Sequence, residues 1–106
     1  MAKYLVVASY TAEGIKGVVA KGGSARRDAV AAMVAGLGGK VESFHFGFGE
    51  GDAYVIVDLP DNVAAAAVGL AVSATGLAST KTVVLLTPEE IDKAAKTQVG
   101  YKAPGA

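Results

Sequence analysis

Apolar residues arrive in short bursts along this chain, and their spacing changes character from one burst to the next. The run Tyr4-Leu-Val-Val-Ala-Ser-Tyr10 is short and rich in β-formers, which predicts a first strand. Thr11 can cap a helical turn with Glu13 near its positive end, although Gly14, Gly17 and the pair Gly22-Gly23 weaken that stretch. Ser24 restarts the helix. Val30, Met33, Val34 and Leu37 then fall at core spacing, Arg26, Arg27 and Asp28 face outward, and Gly38-Gly39 ends the element. Alternation predicts a second strand over Lys40 to Gly47 and a third over Tyr54 to Leu59, joined through the glycine-bearing hairpin Phe48-Gly49-Glu50-Gly51. Pro60-Asp61-Asn62 stops the third strand and caps a second helix over Val63 to Ala74, with Gly76 at its end. A fourth strand follows over Thr80 to Leu86. Thr87-Pro88-Glu89-Glu90 combines a capping threonine, proline at the first position and carboxylates in the first turn, a strong start for a last helix reaching about Lys96. Residues 1–96 read as a single domain, and 97–106 as an extended tail in which Tyr101 and Pro104 suggest contact with a neighbouring subunit.

The resulting order, β-α-β-β-α-β with an extra C-terminal helix, is the ferredoxin-like arrangement of an α+β domain with a four-stranded antiparallel sheet. A hairpin in the middle separates it from strictly alternating nucleotide-binding folds. The helices are unusual. No charge falls from Ala29 through Gly39 or between Asp61 and Lys81, so small residues occupy outer positions where lysine and glutamate are expected. Such faces fit another subunit, small side chains allowing close approach, with plain alanine-rich solvent faces as the alternative. The strands make the same point. Val6, Ala8, Ile56, Val84 and Leu86 cannot share the helix-covered face with Leu5, Val7, Val55, Val57, Val83 and Leu85, so one set lies on an open face suited to self-association.

Composition narrows the functions. Ten basic and ten acidic residues balance to zero, leaving no basic excess for nucleic acid. The absence of cysteine excludes disulfides, thiolate zinc sites, iron–sulfur clusters and cysteine nucleophiles. The N-terminus lacks a signal-peptide layout, and the uncharged stretch from Asn62 to Thr80 is too weakly apolar to favour a membrane. A soluble, cytoplasmic domain is expected.

His45 is the only histidine. If the hairpin pairs Gly47 with Asp52, His45 lies opposite Tyr54 with Asp52 a diagonal neighbour. With the first strand taken as parallel to the third, Tyr4 joins them at one end of the open face. His45, Asp52 and Tyr54 then form a candidate acid–base group, and Tyr4, His45 and Tyr54 a candidate ligand site. The competing reading is a structural histidine in a subunit interface. One histidine with Asp52 and Glu50 falls short of a metal site, so no metal is assigned. Gly22-Gly23-Ser24-Ala25-Arg26-Arg27 opens a helix with two arginines where an anion could sit, against a plain helix start with solvated arginines. Gly47-x-Gly49-x-Gly51 joins two strands and Gly36-Leu-Gly-Gly-Lys40 leads from helix to strand, so neither is a nucleotide fingerprint and no cofactor is assigned.

Taken together, Lys3 to Thr11 with Gly14, Arg26, Gly38-Gly39-Lys40-Val41-Glu42, Gly49-Glu-Gly-Asp52, Pro60-Asp61, Gly76 and Lys81-Thr82 resemble the GYD domain family, and Leu86-Thr-Pro-Glu-Glu-Ile91 and Tyr101-Lys-Ala-Pro-Gly105 resemble a subset of its members. The resemblance implies a small bacterial domain similar to dimeric α+β barrel proteins, a group that includes small monooxygenases and isomerases. The family's name motif has tyrosine before the aspartate, where this chain has Gly51. The leading expectation is a homo-oligomeric domain of unassigned biochemical role that binds a small ligand on the open sheet face. Its rivals are a cofactor-free enzyme of the dimeric barrel type, and a purely structural assembly protein.

Overall fold

A computed structural model describes all residues, 1–106. The elements are β1 (Ala2–Tyr10), α1 (Ala12–Lys21), α2 (Gly23–Gly36), β2 (Lys40–Phe46), β3 (Ala53–Leu59), α3 (Asn62–Ala74), β4 (Ala78–Leu85) and α4 (Pro88–Lys96). The weak stretch after Thr11 is a full ten-residue helix, capped by the Thr11 hydroxyl accepting from Gly14 N. Gly22, at φ 87°, turns the chain directly from α1 into α2, a conformation that other residues rarely adopt. The other starts follow their caps. Asp61 Oδ1 accepts from Ala64 N at 2.9 Å, and Thr87 and Glu90 form a reciprocal capping box in front of α4.

The strands form one antiparallel sheet in the order β2-β3-β1-β4, a ferredoxin-like α+β architecture. β1 is antiparallel to β3, which corrects the parallel pairing expected from the sequence. Register then sorts the faces. Tyr4 pairs with Val57 and Val6 with Val55, so Tyr4, Val6, Val55, Val57 and Leu59 face the helices together. Leu5 pairs with both Ile56 and Val83, which puts these residues on the other face with Val7 and Leu85. The expected grouping therefore had the parity of β3 inverted: Ile56 belongs with Leu5, and Val55 and Val57 with Val6. A bulge at Glu42 resets β2 so that Val41 and Phe44 both reach the core.

The core is thin. Nine of 106 residues are buried, and Tyr4, Val34, Val55, Val57, Leu59 and Ala65 form its centre between the sheet, α2 and α3. Leu37, expected at a core position, is 38% exposed because it sits past the last turn of α2 as the helix cap. The body ends at β4. Every residue from Leu86 to Ala106 is exposed, and the molecule extends 57 Å along one axis against 32 and 23 Å along the others. No helix is long and apolar enough to cross a membrane.

The turn from α2 into β2 is packed without slack. Gly39 N donates to Val34 O at 3.0 Å, and a Cβ at position 39 would lie 2.3 Å from the Asp58 carbonyl oxygen and 3.0 Å from Val34 Cγ1. Neither neighbour is free to move, one being strand backbone and the other core. Gly39→Ala is expected to lower stability by roughly 2–3 kcal/mol, read as a lower urea midpoint.

Candidate functional site

The hairpin has the register that places His45 opposite Tyr54, closed by Gly47 N donating to Asp52 O at 2.9 Å. Beyond that pair the expected group does not assemble. Asp52 Oδ2 accepts from Tyr10 N at 2.8 Å, so the carboxylate ties the end of β1 to the hairpin and does not orient the imidazole. His45 is exposed, and its imidazole makes no hydrogen bond. Tyr4 lies on the opposite face: it is 1% exposed, and its hydroxyl donates to Asn62 Oδ1 at 2.6 Å. The physical reason is strand direction together with pairing parity. With β1 antiparallel to β3, Val7 lies beside Tyr54, while Tyr4 is carried to the far end and into the core.

Tyr54 nonetheless occupies a defined seat. A Cβ at Gly47 would meet its Cε1 at 2.9 Å, and one at Gly51 would meet its Oη at 2.8 Å and Val7 Cγ1 at 2.5 Å. The phenol therefore lies on the open face over two glycines, its hydroxyl reaching Gly51. Gly51→Ala is expected to destabilise by roughly 1–3 kcal/mol. In a Tyr54→Val background that loss should shrink, giving a coupling above about 0.5 kcal/mol in a double-mutant cycle of denaturation midpoints.

At the other end of the open face Lys3 bonds both Glu42 and Asp58, the latter at 3.0 Å. The hydrogen bond to Glu42, then that to Asp58, raises the Lys3 ammonium above its ordinary value of 10.5, with burial opposing. A raised pKa means that the folded state holds this proton more tightly, so the contribution is complete below the unfolded value and is lost as pH climbs through the folded one. Lys3→Met should therefore be less stable than the parent at neutral pH, and the gap between their urea midpoints should close once pH passes 10.5.

Concavity belongs to the other side of the sheet. α1, α2 and α3 enclose a cleft of about 610 Å³ beside the C-terminal end of β1, with Val18, Met33, Val72 and Leu77 among its walls. Arg26 and Tyr10 meet there: Nε donates to the phenol oxygen at 3.4 Å, and the guanidinium carbon lies 6.0 Å from the ring centre. Neither His45 nor Tyr54 lines this cleft, the small apolar pocket adjoining it, or the groove between α3 and β4. Sequence reasoning noticed Arg26 as part of a helix start but missed Tyr10. The available signal was parity, since Tyr10 follows Tyr4, Val6 and Ala8 on the helix-facing side of β1. No group of three or more His, Cys, Asp or Glu residues that could hold a metal ion is present.

These features define a ferredoxin-like α+β domain with one face under helices and one face bare. The GYD domain family model matches residues 4–95, and the chain belongs to that family. The match runs from β1 into the last turn of α4, so the projecting helix is part of the family unit. A search of curated proteins and a search of solved structures each yield no significant match.

Proposed function

We propose that the protein works as a homo-oligomer, in the manner of dimeric α+β barrel domains, with the open sheet face against a second copy and the C-terminal arm clasping it. One observation carries this reading: the arm from Leu86 to Ala106 contains a capped helix in which no residue finds cover within its own chain. An isolated helix of nine residues is too short to persist in water on propensity alone. Ile91, Val99 and Tyr101 give the arm apolar contacts to offer, and each is at least half exposed.

The sheet supplies the complementary surface. Leu5, Val7, Ile56, Val83 and Leu85 form an aliphatic centre on the uncovered face, with Lys3, Glu42 and Asp58 at one side of it. Fully burying such a side chain contributes roughly 1.5–3 kcal/mol, so a few of them across a two-fold axis offset the cost of association. His45 and Tyr54 are then interface residues near the hairpin. Small-molecule binding belongs on the helix side, where the cleft is. A chain without cysteine needs no oxidising compartment, which supports a cytoplasmic location.

Sedimentation velocity at micromolar concentration should give a particle of at least twice the 10.6 kDa chain mass. Val83, 48% exposed at the centre of β4, can take lysine with little effect on the fold of one chain. Val83→Lys should return the particle to the single-chain mass with an unchanged far-ultraviolet circular dichroism spectrum. A parent protein that sediments as a single chain overturns the reading.

A further inference from the structure

We propose that the cleft under α1, α2 and α3 binds a small amphipathic carboxylate, an apolar molecule with one anionic head, whose head is held by Arg26 beside Tyr10. The hollow originates in the sequence of α1. Gly14, Gly17 and Gly22 line it without side chains, and a Cβ at Gly17 or Gly22 would meet nothing within 4 Å. The volume of about 610 Å³ lies within the range of small-ligand sites. A second pocket of about 40 Å³, almost wholly apolar, adjoins it through Tyr10, Arg26, Met33 and Val72 and deepens it towards the core.

Charge selects the ligand class. Lys21 and Arg26 line the cleft, and no aspartate or glutamate does. The ion pairs of the chain are Lys3 with Glu42 and with Asp58, Lys16 with Glu13, and Arg27 with Asp28. Arg26 is in none of them, although it is half-buried and its neighbour Arg27 is paired. Asp52 accepts from the Tyr10 amide through Oδ2 and forms no ion pair with Arg26. A guanidinium offers five N–H donors in a planar fork, and here the phenol of Tyr10 takes one. A half-buried cation without a counter-ion is unfavourable, and a carboxylate in bidentate contact supplies what is missing. The mostly apolar wall and the single fork suit one monoanionic head on an apolar body better than a polyanion.

This site lies across the sheet from the proposed subunit contact, so each can fail without the other. The full-length, ¹⁵N-labelled protein would be titrated with decanoate and, separately, with decanol below their aggregation limits. Decanoate should shift the amides of Tyr10, Ala25, Arg26 and Val72 saturably, leave His45 and Tyr54 unmoved, and bind about tenfold or more tighter than decanol. Arg26→Gln should bring decanoate down to the decanol level. Gly17→Leu, which adds a better helix former while filling the cleft, should abolish binding of both. No saturable decanoate binding, equal affinity for the two probes, shifts mapping to the open sheet face, an undiminished preference in Arg26→Gln, or undiminished binding in Gly17→Leu would each overturn the proposal.

Discussion

A four-stranded sheet has two faces to shelter, and this chain packs helices on only one of them. That imbalance governs the rest of the molecule. The core gathers where α2 and α3 meet Tyr4, Val55, Val57 and Leu59, and it is one layer deep. On the far side Leu5, Ile56 and Val83 stand in register across three strands with no element above them. Aliphatic residues aligned in this way are stable against solvent only at a cost, because each keeps apolar area in contact with water that burial would remove. The arm after Leu85 has the same character in a different form: backbone and caps order it, but no packing within the chain does.

Local chemistry made most of the architecture readable. The caps at Thr11, Asp61 and Thr87 are determined by one side chain and the next few amides, and all three helices begin at them. The turn glycines at 38 and 76 adopt positive φ at the ends of α2 and α3, as helix-terminating glycines do. Direction and parity were harder. Alternation along β3 says that Val55 and Ile56 point opposite ways, but which one faces the core depends on pairing with β1, a contact between residues about fifty positions apart. A parallel β1 and β3 would carry Tyr4 to the hairpin end, and only the opposite parity of β3 would bring it to the face of Tyr54, so direction and parity each remove it from the candidate ligand group.

The arrangement of the candidate group has a related cause. His45, Asp52 and Tyr54 are close along the hairpin, but closeness along a strand pair does not decide which partner each side chain takes. A carboxylate, however, bonds the nearest unsatisfied donor, and for Asp52 that donor is the Tyr10 amide at the end of β1. Its role is to fasten a strand end. Tyr54 is positioned by the absence of side chains at Gly47 and Gly51, a negative feature that composition records without indicating what fills the gap.

Glycines divide the molecule's chemistry between its two sides. On the sheet side, Gly47 and Gly51 make room for the Tyr54 ring, a Cβ at either position meeting its atoms within 3 Å. On the helix side, Gly14 brings α1 hard against the Leu77 carbonyl, a Cβ there meeting the oxygen at 2.0 Å, while Gly17 and Gly22 leave the same helix end hollow. Close approach at one glycine thus fixes the helix that the next two open. The only polar groups drawn into that hollow from the sheet and α2 are the Tyr10 phenol and the Arg26 guanidinium. An aliphatic face matches a protein surface of the same kind, and a hollow with a cation at its edge matches a small anion. The two sides are therefore suited to different partners, and the same residue type makes room for a ring on one and opens a hollow on the other.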